Sequence, residues 1–211
     1  MAENIKIEQH EKEYRDIGIV IMVEEEAKEE AERLVRLISE QVDLVSMVDR
    51  DHPAHISLFQ GRLPGKFNAD YLRQQISNLQ EPGTIEIPMA EELFIRPNGN
   101  VFWNAKPNDN LSRLHLKLVE ELQTLTGDLL MKQFQDILDN PRTSADDREQ
   151  ILKYGSLLAG PKFLPHITLA RLKELTDQEK IRSIRPNPMT IRLNNRLVIT
   201  ELNPDGSLYK K

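Results

Sequence analysis

Cysteine is absent from the 211-residue sequence, which removes disulfides, thiolate metal sites and a cysteine nucleophile without fixing the redox compartment. A basic excess is missing as well. Lys and Arg number 28 against 34 Asp and Glu, leaving a formal charge of -6, whereas long duplex nucleic acid is usually held by a broad basic surface. Such a partner is not expected, although a nucleotide or an RNA terminus is compatible with the charge. Apolar runs are short, and none approaches the ~18 residues of a membrane span. Glu3, Lys6, Glu8, Glu11, Lys12 and Glu13 stand where a secretory signal would place an apolar core. The expectation is a cytoplasmic protein with no membrane partner. Length suits one compact unit, residues 1–211, while also permitting a pair of lobes. The oligomeric state is left open.

What is present is a succession of strand-like and helix-like segments. Residues 1–15 are polar and expected to dock loosely. Ile17 to Val23 reads as a buried strand, and Ala27, Ala31, Leu34, Leu37 and Ile38 follow at helical spacing, with acidic residues in the first turns. Strands at 45–48 and 54–60 precede a helix over 69–79. Further strands are predicted at 84–88, 93–96 and 101–105, the last two joined by the turn Pro97-Asn98-Gly99-Asn100. Leu111, Leu114, Leu118, Leu122 and Leu125 mark a long amphipathic helix, capped by Asn108 or Asn110 and ended by Gly127. His115 stands beside this stripe and reads as a core-edge histidine bonded to backbone or a neighbour. Segment 128–160 reads as a helical insertion, with helices over 129–138 and 146–158 separated at Asn140-Pro141. A strand over 163–170, a helix over 176–184 and strands at 189–193 and 196–202 complete the chain.

Two of these strands write the same pattern, Ala54-His55-Ile56-Ser57-Leu58 and Pro165-His166-Ile167-Thr168-Leu169. Side chains two apart on a strand share a face, so each imidazole stands beside its own hydroxyl. Two groups that titrate near neutrality and two hydroxyl donors suit attack at a phosphate flanked by a nucleophile and a leaving group. One neutral imidazole takes a proton from water and the other, protonated, gives one to the leaving oxygen. Ser57 and Thr168 hold the phosphoryl oxygens. Which histidine is the base is left open. By alternation Phe59 shares the face of His55 and Ser57, making it a candidate for base stacking, with Trp103 and more weakly Tyr14 beside it. The same alternation sends Arg171 to the face opposite His166, as a structural or surface residue. Lys162 and Arg62 are weaker phosphate contacts still.

The two units, and especially Phe163-Leu164-Pro165-His166-Ile167-Thr168-Leu169-Ala170-Arg171, resemble the signatures of the two-histidine (2H) phosphoesterases, the LigT-like or 2′-5′ RNA ligase superfamily. Val101 to Leu122 is similar to that family's connecting region, and the resemblance covers residues 17–202. It implies an α+β fold, bilobal and duplicated, with two antiparallel sheets around a central cleft and helices outside. It also implies chemistry without metal or cofactor on 2′,3′-cyclic phosphates or related nucleotide and RNA phosphodiesters. Carried over by position, His55 and His166 are catalytic, and Ser57 and Thr168 bind the phosphate. Three departures stand out. Ser57 replaces a common threonine and loses its stiffening β-branch. The histidines lie 111 positions apart (166 minus 55), and the excess falls in segment 128–160. Finally, Leu58-Phe59-Gln60-Gly61 is shorter than the family's apolar continuation.

Other readings compete. Asp49, Asp51, His52 and His55 have permissive metal-ligand spacing, but His52-Pro53 reads more naturally as a turn into the strand. Histidine-triad chemistry needs alternate histidines within one strand, and Ile167-Thr168-Leu169 supplies none. A non-catalytic module for nucleotides or RNA ends would present the same cleft, and an adaptor would use the 128–160 helices as an interface. Those helices otherwise act as a lid.

Overall fold

The computed structural model describes residues 14–49, 52–66, 68–79, 84–127, 129–193, 197–203 and 207–208. The described residues begin with β1 (Tyr14–Met22), α1 (Glu25–Ser39), β2 (Leu44–Met47), β3 (His55–Pro64) and α2 (Ala69–Leu79). It continues through β4 (Ile85–Ile95), β5 (Asn100–Ala105), α3 (Asp109–Thr126), α4 (Lys132–Asp139) and α5 (Ala145–Tyr154). After β6 (His166–Leu172) come a 3-10 turn, the one-turn α6 (Gln178–Ile181), β7 (Thr190–Leu193) and β8 (Leu197–Glu201). The fold is α+β. Among the described residues the strands form one antiparallel path, β7-β4-β5-β6-β3-β1-β8, with β2 paired to β6. Its middle is thin, because β3 and β6 share the single pair Ile56 and Ile167.

Helices cover one face of this path because their apolar stripes match it. Helix α1 buries Ala27, Ala31, Leu34, Val35 and Ile38, while α3 buries Leu111, Leu114, Leu118, Val119 and Leu122. These stripes meet Ile17, Ile19 and Ile21 of β1 and Trp103 of β5 in the main core. Asn108 is the cap of α3: its side-chain oxygen accepts from the Leu111 amide at 3.0 Å, which satisfies one of the free first-turn donors. A second, smaller core gathers Val20, Met131, Phe134, Ile151, Leu202 and Leu208. Val20 points away from Ile19 and Ile21, so segment 131–154 covers the other face of the sheet.

Several bounds differ from the sequence-based expectation. Tyr14 and Arg15 belong to β1, paired with Pro64 and Leu63; the rest of the expected loose N-terminus lies outside the described residues. The two strands predicted at 84–88 and 93–96 are one strand, β4, which pairs β7 through Ile85–Pro88 and β5 through Met89–Ile95. Helix α5 stops at Tyr154 rather than at 158. Gly155 there takes φ 73 and returns its amide to Ile151, a left-handed exit that glycine adopts freely.

Candidate active site

Strands β3 and β6 bring the two His-x-Ser/Thr units together. Ile56 and Ile167, directly opposite one another, are fully buried, so His55, Ser57, His166 and Thr168 project from the other face. That register sets each histidine across from the other unit's hydroxyl. All four side chains line one cavity of about 400 Å³, within the roughly 300–1,000 Å³ of small-molecule sites.

The two imidazoles are held alike. His55 Nδ1 lies 2.8 Å from the Pro53 carbonyl, and His166 Nδ1 lies 2.6 Å from the Leu164 carbonyl. A carbonyl only accepts, so each Nδ1 carries the proton and each Nε2 remains as the basic nitrogen. Burial lowers the pKa of His55 against the opposing effect of its bond to Pro53. Burial also pushes His166 down to about 4, against its bond to Leu164, with further lowering by the charges of Arg96 and His55. Phe102 stacks on the His166 ring with centroids 3.7 Å apart, and the Arg96 guanidinium lies 5.8 Å from the Phe102 centroid.

Both strands carry a bulge at the leucine that follows the hydroxyl. Ile19 and Val20 of β1 pair with Phe59 and Ser57, skipping Leu58. Val101 and Phe102 of β5 pair with Ala170 and Thr168, skipping Leu169. One extra residue reverses the facing of everything beyond it. Phe59, expected beside His55, therefore turns with Ile19 into the core, its ring so close over Gly61 that a Cβ there would come within 2.7 Å. Arg171, expected on the opposite face, instead pairs with Asn100 and lines the cavity. Trp103 is also corrected: it is fully buried, and its Nε1 donates to the Ala90 carbonyl at 2.9 Å. Trp103 thereby leaves the cavity, whereas Phe59, though 7% exposed, still contributes to the cavity lining. Phe102 was missed; once Trp103 is given to the core, alternation alone places Phe102 on the site face.

No protein-family model and no curated protein matches the chain. Solved structures do. One is the crystal structure of TT0787 of Thermus thermophilus, 17% identical, with 92% of this chain and 93% of that chain covered at a TM-score of 0.47. A likeness of that degree carries no functional argument, so function has to come from the residues of the site.

The remaining candidates are dispersed. Arg62 is committed to Asp16 by two bonds, of 2.7 and 2.9 Å. Lys162 is exposed and lies 3.9 Å from Asp147, and neither it nor Tyr14 lines the cavity. His52, by contrast, borders the cavity beside His55 and turns its Nδ1 to Asp49 at 3.2 Å, while Asp51 of the alternative metal set lies outside the described residues. Among the described residues no three His, Cys, Asp or Glu side chains group as metal ligands, and no helix is long and apolar enough to cross a membrane. Segment 131–160 supplies an apolar wall through Phe134, Ile137, Leu157 and Leu158. Around the cavity the described lining includes Arg96 and Arg171 and no carboxylate, although the chain carries net negative charge.

Proposed function

We propose that this protein is a two-histidine phosphoesterase that opens 2′,3′-cyclic phosphates or cleaves related nucleotide and RNA phosphodiesters. One observation carries the reading: two imidazoles with Nδ1 tied to backbone and Nε2 left basic share a carboxylate-free cavity with two hydroxyls and two guanidiniums. An anion is the ligand such a lining selects. A pair of proton-transfer groups is what in-line displacement at phosphorus requires.

In hydrolysis the oxygen of water forms the new bond to phosphorus as one Nε2 removes its proton. The bond from phosphorus to the leaving ribose oxygen breaks, and the protonated Nε2 of the other histidine donates to that oxygen. Ser57, Thr168, Arg96 and Arg171, which line the cavity, stabilise the charge on the phosphoryl oxygens in this mechanism. Both histidines are pushed toward the neutral form in the free protein, so the acid acquires its proton with the substrate, whose negative charge favours imidazolium.

The test is incubation with a panel of 2′,3′-cyclic nucleotides and 2′-5′ dinucleotides in the presence of chelator, with the product isomer identified. His55→Ala and His166→Ala should each lower kcat by about 10²-fold or more. Turnover by both variants at the wild-type rate sinks the mechanism, and nucleotide binding without product points to the non-catalytic module.

A further inference from the structure

His115 belongs to no part of the chemistry above, yet it touches both catalytic strands' supports. Only 2% exposed, it projects from α3 between the bulge of β3 and the turn that feeds β6. Its Nε2 accepts from the Gly160 amide at 2.8 Å. The proton must then sit on Nδ1, which lies 2.6 Å from the Leu58 carbonyl, and a carbonyl requires a donor there. Phe163 stacks on the ring at 3.9 Å, with the planes 5° apart. Leu58 is the extra residue of the bulge beside Ser57. Gly160 and Phe163 open the run that leads to Leu164, the carbonyl partner of His166.

The far side of that turn is fixed just as firmly. Gly160 takes φ 56, and a Cβ on it would meet the Tyr154 ring at 2.6 Å, so a glycine is required for this exit. Gln150 of α5 donates to the Ala159 carbonyl at 2.6 Å. The turn is thus gripped by α5 on one side and by His115 on the other.

The geometry points to His115 as the positioning residue of the reaction: in its neutral Nδ1–H form it fixes the Ser57 bulge and the approach to His166 relative to each other. It rests on the phosphoesterase reading only for the activity part of its test. No other side chain among the described residues hydrogen-bonds both Leu58 and Gly160, and a misplacement of about 1 Å costs on the order of 10²-fold in rate.

His115→Phe keeps a ring against Phe163 and removes both hydrogen bonds, whereas His115→Gln keeps a donor and an acceptor. Folding is checked by cooperative melting. His115→Phe is expected to lose about 10²-fold in kcat on a 2′,3′-cyclic nucleotide with KM nearly unchanged, and His115→Gln to recover part of that loss. Nitrogen-15 NMR of wild type should show His115 as the neutral Nδ1–H tautomer, with the His55 and His166 ring signals displaced in His115→Phe. If His115→Phe does not fold, His115→Asn, too short to reach both partners, replaces it. A folded variant with wild-type kcat and undisplaced ring signals overturns the inference and leaves the phosphoesterase reading standing. Absence of turnover in wild type, with the ring signals still displaced by the variant, does the reverse.

Discussion

Each of the paired cavity histidines is oriented by the carbonyl two residues before it, Pro53 for His55 and Leu164 for His166. An i−2 carbonyl is available only where the chain is turning into a strand, which explains why each histidine opens its strand. With both pKa values below the ordinary imidazole value of about 6.5, the kcat/KM profile of the free protein should be a bell centred on the acid side of 6.5. The Arg96 charge helps to hold His166 down. Arg96→Gln should therefore raise the His166 pKa and move one limb of the bell to higher pH; a profile with neither limb moved means that Arg96 does not face His166. Arg171 and Arg62 offer a contrast. Loss of a charge-assisted bond to phosphate costs about 1.5–3 kcal/mol, so Arg171→Ala should raise KM roughly tenfold or more without loss of stability. Arg62→Ala should leave KM alone and lower stability by about 1–3 kcal/mol, because it strands the nearly buried Asp16 carboxylate.

At the scale of elements, the paired bulges decide which side chains reach the cavity. Strict alternation puts Arg171 outside the cavity; the bulge at Leu169 turns it in, while Ala170, still part of the lining, keeps only 3% exposure. Ala170→Asp is therefore expected to lower stability, because a carboxylate would be forced onto a nearly buried position of the cavity wall, while Arg171→Asp should fold normally and lose anion binding. Equal stability of the two variants in urea contradicts the bulge. Much of this architecture was legible in the chain. Leucine spacing and Asn108 marked α3, and the repeated triplets marked β3 and β6, because those signals are local. The bulges were not legible, since a bulge exists only relative to a partner strand whose register the sequence does not print. For the same reason β4 read as two strands: it changes neighbours near Met89, and neighbours are a tertiary property. Gly155 was a local signal that should have ended α5, yet the apolar Leu157 and Leu158 beyond it imitated a longer helix.

Across the whole molecule, burial lowers the pKa of His55, His115 and His166, so the unfolded chain binds more protons than the folded one below about pH 6.5. The stability these groups contribute is present above the unfolded value and is lost as pH falls from about 6.5 toward the His166 value of about 4. Glu30 works in the same direction at lower pH. Its carboxyl is buried, but the bonds from Arg33 and Asn187 outweigh that burial and hold its pKa down. Between pH 7.5 and 5.5 the three buried histidines supply this slope. An anion in the cavity opposes their loss, because it binds more tightly to a site that already holds Arg96 and Arg171 when an imidazole becomes charged. Sulfate keeps a constant charge over this range, and a ligand raises stability by RT ln(1 + [L]/Kd). The increase in Tm given by sulfate should therefore be larger at pH 5.5 than at 7.5, and the difference should shrink in the His55→Gln, His166→Gln double variant. A sulfate effect of equal size at both pH values would show that the anion does not meet the two histidines, and the shared site would have to be abandoned.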